Sequence, residues 1–404
     1  MSATTGRNRV TSCGCWTRKG ELSSFRLPEG IEGLAQLHGR LARFATDPYQ
    51  VVVGIETDRG LWVQALVASG YLVYPINPKA VARYRDRHHV GGGKSDPGDA
   101  KVLADLVRTD RHNHRLLAGD SPEAEAIKLW ARTHQRLCWD REAHVNRLRA
   151  GLREYYPAAL STFPDLDQRE ALAVLAIAPT PAEGKRLTTP RVRAALAKAG
   201  RQRSLEIRAK EIRAGLRVSH LEAPAPIVSA LASATRAEVG IISELSRQID
   251  ALGEEMEDRF REHPDAAIYL SLPGIGAVLG ARMLGELGDD PTRYPEAKSR
   301  RNYAGTSPLT IASGKRRQVV SRHVCNRWLQ RAALRWAFCS LTKSPGCQSF
   351  YRHRLGQGDD HFQALRALAN RLVSILHGCL ANRTLYDEEK AWGHRHEEPG
   401  RNAA

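Results

Sequence analysis

Residues 51–55, Val-Val-Val-Gly-Ile, are apolar at every position instead of every second one, the pattern of a strand covered on both faces. Gly60 to Ser69 carries Leu61, Trp62, Val63, Leu66 and Val67 and predicts a short helix. A second apolar run, Gly70 to Ile76, predicts another strand, ended by the turn dipeptide Asn77-Pro78. A helical pattern follows through Arg83, the glycines at 91–93 interrupt it, and a further helix begins near Pro97. Strand, helix, strand and helix in that order predict a parallel or mixed sheet flanked by helices.

Beyond residue 120 the pattern becomes helical. Ser121-Pro122-Glu123 is a helix start, with a capping hydroxyl, Pro in the first turn and an acid beside it, and the helix it opens can run to Tyr156. Residues 164–226 read as helical pieces broken by Pro and Gly. Ile242, Leu245, Ile249, Leu252 and Met256 recur every three and four residues, about two and a half heptads. That seam fits either a helical stalk against another helix or subunit, or one amphipathic core helix. Residues 269–381 are helical apart from a basic, poorly periodic insertion at 307–322, and residues after Asp387 read as a disordered tail. The expected domains are 1–120, 121–264, 265–385 and a tail at 386–404.

Composition narrows the partner. The 61 Lys and Arg exceed the 44 Asp and Glu, for a formal charge of +17 over 404 residues. Such a surplus favours a polyanion, because each neutralised phosphate releases a counterion, and most of these cations are Arg, which grips phosphate bidentately. No apolar run approaches the roughly 20 residues of a bilayer span, so no membrane partner is expected. Seven cysteines without a Cys-x-x-Cys pair support neither structural zinc nor a disulfide framework and fit a reducing cytoplasm.

Three places carry candidate chemistry. Glu56 follows the first strand, at the carboxyl end where open α/β sheets bind ligands. In Ser95-Asp96-Pro97-Gly98-Asp99-Ala100 the two acids are three apart, on one helical face; Asp96 as N-cap and Pro97 at the first helical position is an equally good structural account. Together with Glu56 they form the acid set that Mg²⁺-dependent phosphodiester chemistry uses. Leu272-Pro273-Gly274-Ile275-Gly276 before a helical stretch looks like a helix-hairpin-helix turn, whose Gly274 and Gly276 would let backbone approach a phosphate. Ser313-Gly314-Lys315-Arg316-Arg317 sets a hydroxyl among cations, either a nucleophile or a turn with phosphate contacts.

The ordered series Ile55-Glu56-Thr57, Ile76-Asn77-Pro78, Lys94 to Ala100, Leu272 to Gly276, Tyr303-Ala304-Gly305 and Ser313-Gly314 resembles the DEDD-type insertion-sequence transposases. The resemblance runs from about residue 11 to 381 and is weakest between 163 and 226. It implies an α/β RNase H-like (RuvC-like) N-terminal domain, a helical stalk and a helix-hairpin-helix-like C-terminal transposase domain. It also implies Mg²⁺ held by Glu56, Asp96 and Asp99, matching the second, third and fourth acids, and Ser313 as the residue that attacks DNA. Lys94, Gly274, Gly276, Lys315, Arg316, Arg317 and Arg322 are the expected nucleic-acid contacts. The partners implied are the DNA of element ends and target, a structured non-coding RNA and further copies of the chain, as dimer or tetramer, in a bacterial cytoplasm at the nucleoid.

The sequence departs from that family at its start. Thr4 or Thr5 stands where the family has its first Asp, so either the true start lies upstream or this copy is decayed. Two rival readings follow: a RuvC-like metal-dependent junction nuclease in which Ser313 is structural, and a truncated transposase that only binds nucleic acid.

Overall fold

Strand β1 (Val10–Trp16) pairs antiparallel with β2 (Leu22–Pro28), Val10 opposite Pro28 and Trp16 opposite Leu22. The expected parallel pair follows: β3 (Val52–Ile55) and β4 (Leu72–Pro75), joined through a helix, with Val52 opposite Leu72. The helices here are α1 (Ile31–Leu41), α2 (Leu61–Ala68), α3 (Pro78–His88) and α4 (Asp96–Thr109). The computed structural model describes residues 10–17, 20–88, 95–114, 116–117, 119–313, 316–322 and 324–393, with backbone alone for Val10, His88, Ser313, Arg316 and Arg317. Thr4, Thr5, Lys94, Gly314 and Lys315 therefore lie outside the described residues. The chain divides into two units, residues 1–119 and 120–404.

In the first unit the two strand pairs share one core of Cys13, Leu27, Leu37, Val53, Ile55, Leu66 and Val73. They are nevertheless separate two-stranded sheets, so β1 and β3 each keep one edge without a strand partner among the described residues. Both carry the burial of interior strands, on both faces at residues 11–14 and 53–55. Helix α4 lies hard against them: a Cβ on Gly14 would come 2.9 Å from the Ala100 carbonyl, and one on Gly54 2.7 Å from Val107. Only glycine permits that approach.

The second unit begins with α5 (Pro122–Tyr155), whose predicted cap is present: Ser121 Oγ accepts the Ala124 N–H at 3.1 Å. Five short helices follow, α6 (Pro157–Thr162), α7 (Arg169–Ile177), α8 (Pro181–Arg186), α9 (Thr189–Lys198) and α10 (Leu205–Gly215), then α11 (Ala225–Glu262). The heptad seam lies on α11, where Ile242, Ile249 and Met256 are buried, and α11 packs against α5 of the same chain. His144 meets Glu238 and Arg141 meets Ser246, so the two helices run antiparallel. Their far ends enter a core with Leu152, Tyr155, Leu175 and Leu196. Their near ends, through Ile127 and Phe260, enter the C-terminal core. By length and composition α11 is long and apolar enough to cross a membrane, although Arg236 and Glu238 interrupt its apolar stretch.

The C-terminal core is built by α12 (Ala266–Ser271), α13 (Ala277–Leu287), α14 (Ala297–Tyr303), α15 (Arg327–Ser340), α16 (Pro345–Gly356) and α17 (His361–Asn382). The basic insertion is a β-hairpin, β5 (Leu309–Ser313) with β6 (Arg316–Val320), which its lack of helical period had left unassigned. The expected tail also begins too early. Residues Glu388–Trp392 form helix α18, and Trp392, 4% exposed, packs onto Gly346 and Phe350 while its indole N–H donates to Tyr386 Oη at 2.9 Å. One large indole buried in the C-terminal core holds this segment, and its isolation among polar residues along the chain hid it in the sequence.

Two outcomes follow. Trp392→Ala empties that slot and lowers the stability of the C-terminal core by about 3–5 kcal/mol, read by urea unfolding. His134 of α5 is buried, and burial with Arg282 and Arg141 nearby pushes its pKa down to about 4 from its usual 6.5. A base depressed on folding adds stability above pH 6.5 that is lost as pH falls towards 4. His134→Gln should therefore flatten the loss of stability across that window.

Candidate functional site

The acids come from two elements of the first unit. Glu56 follows β3 directly and is half-buried. Asp96 and Asp99 stand in the first turn of α4, but the cap of that helix is Ser95, whose Oγ accepts the Gly98 N–H at 3.2 Å, not Asp96 as the motif suggested. The register that puts both acids on one helix does not give them one environment: Asp96 is exposed, whereas Asp99 is 1% exposed.

Burying a carboxylate requires a compensating charge, and Arg85 of α3 supplies it, its Nη2 lying 2.6 Å from Asp99 Oδ1. Neither Asp99 oxygen accepts a well-directed hydrogen bond, so the pair is held by charge. Among the described residues no three His, Cys, Asp or Glu side chains gather closely enough to hold a metal ion. Glu56, Asp96 and Asp99 are thus not drawn into one cluster, and Arg85 lies beside Asp99. Arginine at 85 was not singled out from the sequence, although its position one helix before the Asp96/Asp99 turn was the available signal.

The serine stands in the second unit, and its surroundings are organised from a buried acid. Ser313 ends β5 and pairs in register with Arg316, which begins β6, with Arg317 next. The root of this hairpin is closed by Asn326, whose backbone N–H donates to the Tyr303 carbonyl at 2.9 Å and whose Oδ1 caps α15 through the N–H groups of Trp328 and Leu329. The Asn326 amide also donates to Tyr303 Oη and to Glu286 Oε2, at 2.9 and 2.6 Å. Glu286, 3% exposed on α13, is gripped by Arg132 of α5 through Nε at 2.6 Å and Nη2 at 2.9 Å. The Tyr-Ala-Gly block thus acts as one side of the hairpin's root. Arg322, at the other side, is half-buried with its Nε unpartnered.

The glycine-rich turn connects α12 to α13 as expected, but Gly274 has a local reason to be glycine. Its φ is +80°, and a Cβ would sit 2.6 Å from the Ser340 N and 2.9 Å from the Cys339 carbonyl. The close approach that the sequence reserved for phosphate is made to the end of α15, locked by the Trp336 indole N–H donating to the Pro273 carbonyl at 2.9 Å. Gly276, exposed before α13 with open space around it, is the turn residue that still faces outward.

With this geometry in place, comparison with known proteins is direct. Residues 6–157 match the IS110 DEDD family, described as a transposase, and residues 266–352 match the transposase family of IS116, IS110 and IS902. A Streptomyces coelicolor protein, named as a candidate transposase of the IS117 mini-circle, is 41% identical over 376 residues, covering 92% of this chain and 91% of its own. The 44.8 kDa protein of IS116 from Streptomyces clavuligerus is 30% identical, covering 81% and 80%. The 42 kDa protein of IS900 from Mycobacterium paratuberculosis is 28% identical, covering 90% and 91%. The two matched regions hold the acids and the serine hairpin respectively. The chain belongs to the IS116/IS110/IS902 family of transposases.

Proposed function

We propose that this chain cleaves and rejoins DNA strands at the ends of an insertion element, with Ser313 as the nucleophile. The observation that carries the reading is the hairpin. It ends one strand on a serine, begins the next on Arg316-Arg317, and is anchored at its root through Asn326 to a buried Glu286. Cations near a serine nucleophile would stabilise its alkoxide and the attacked phosphate together. Ser313 would give up its hydroxyl proton as Oγ bonds to phosphorus and one strand P–O bond breaks. The departing sugar oxygen takes up a proton, and the phosphoserine ester keeps the bond energy needed for rejoining.

In this reading the first unit is RNase H-like, and Glu56, Asp96 and Asp99 are the residues that would hold Mg²⁺, the ion that would supply the charge to orient the scissile phosphate. The +17 charge suits DNA and, as the family resemblance implies, a structured RNA that reads sequence by base pairing. Acids and serine lie in different units of the chain, which suits assembly of the reaction centre by two or more copies in the bacterial cytoplasm. Magnesium would need Asp99 released from Arg85 and the other two acids drawn towards it, so no step is built on it. One observation favours a second reading, a nucleic-acid binder without cleavage: Asp99 is already neutralised by Arg85 and the acids are not grouped.

Trapping on element-end DNA with its RNA separates these readings. A denaturant-stable protein–DNA adduct is expected from the wild-type chain and none from Ser313→Ala. An adduct that persists in Ser313→Ala rejects the nucleophile, Mg²⁺-dependent free ends without adduct favour the junction nuclease, and binding without cleavage favours the second reading. The Arg85–Asp99 pair has its own test. Arg85→Met strands a buried charge and costs the first unit about 3–5 kcal/mol, while the Arg85→Met/Asp99→Asn double variant loses less than the two single variants together, measured by urea unfolding.

A further inference from the structure

A cleft of about 260 Å³ opens between α5, α13 and α15, away from the hairpin's serine but sharing its root. Trp139 of α5 and Trp328 of α15 stack in it, ring centroids 4.8 Å apart at 27°. The stack is capped by cations, with Arg331 4.5 Å above Trp139 and Arg132 and Arg136 5.7 and 5.8 Å from Trp328. Arg282 and Arg335 complete the wall. The single acid in the lining, Glu286, is consumed by Arg132 and Asn326. Of these arginines only Arg132 has a carboxylate partner among the described residues. Arg282 is half-buried with its Nε–H unpartnered, and it is held from behind by donating from Nη2 to His134 Nδ1 at 3.0 Å.

We propose that this cleft binds an unpaired nucleotide of a single-stranded nucleic acid, its base on the Trp139–Trp328 rings and its flanking phosphates on Arg331, Arg335 and Arg282. The proposal rests on the nucleic-acid reading given above and adds a place for an unpaired strand. Two stacked indoles offer flat faces that any base matches, and base–aromatic stacking tolerates every sequence. The guanidiniums lying on those rings are preorganised and weakly hydrated, and a base that takes a ring face releases the arginine above it to the neighbouring phosphate. An acidic peptide would use the cations but leave the stacked rings idle. Trp328 lies two residues after Asn326, which closes the root of the Ser313 hairpin, so a strand held here is delivered beside the element that carries the nucleophile.

The signal was present in the sequence. Arg132, Arg136 and Trp139 recur at three- and four-residue intervals on one helix, as do Trp328, Arg331 and Arg335 on another, each placing its rings and cations on a single face.

The test is fluorescence anisotropy of the full-length chain with labelled oligo-dT, oligo-U and a blunt DNA duplex of equal length. Trp139→Ala and Trp328→Ala should each weaken single-strand binding about tenfold while leaving duplex binding within about twofold, and Trp→Phe at either position should restore it. Arg331→Ala with Arg335→Ala should lower the salt slope for single strands by about 2. The oligo-dT and oligo-U arms separate a DNA strand from an RNA one as the occupant. Alanine variants with wild-type melting temperature and wild-type single-strand affinity overturn the proposal, as does equal loss on duplex and single strand. A wild-type chain that binds no nucleic acid fails earlier, and rejects the transposase reading on which the cleft depends.

Discussion

A carboxylate can remain charged inside a helical core only if cations and amide donors surround it, and Glu286 imposes that demand on the whole second unit. Its position on α13 draws in Arg132 from α5 and the Asn326 amide from the start of α15. Asn326 in turn fixes Tyr303 and caps α15, so one buried charge settles how three helices meet and where the β5–β6 hairpin leaves the core. The same network leaves the neighbouring arginines without acids of their own. Positive charge is thereby concentrated at the hairpin root and along the face that carries Trp139 and Trp328.

The first unit uses the same rule with an opposite emphasis. Asp99 is the buried acid, Arg85 is its cationic partner among the described residues, and α4 sits close on β1 and β3 at Gly14 and Gly54. Packing and chemistry are in competition there. The helix must press against the strands to close the core, and that pressure takes one of the two motif acids out of solvent while Asp96 stays in it. Among the described residues β1 and β3 each have one edge without a strand partner, although both are buried like interior strands.

Between the cores of the second unit, α5 and α11 act as a spacer. An antiparallel pair of long helices transmits position stiffly, because each turn packs against a turn of its partner. The distal helical cluster from α6 to α10 is therefore displaced from the C-terminal core along α5 and α11. The two regions that match the transposase family, residues 6–157 and 266–352, leave α6 to α10 outside them almost entirely.

Local pattern alone determined the βαβ pair, the start and length of α5, the seam of α11 and the order of the motifs. Each depends on periodicity or capping within a few turns, which neighbouring residues encode completely. The β5–β6 hairpin, the α18 helix and the early β1–β2 hairpin were missed or misplaced, because their evidence is pairing across strands or one indole filling a distant slot. Which partner the seam chose, and that Asp96 and Asp99 would part company, were decided only by tertiary packing, since burial is a property of what lies opposite and not of spacing. The acids, the serine and the glycine turn were legible as residue types. Arg85 and Glu286 were not, because a charge acquires its role only when the fold brings its counterpart within contact.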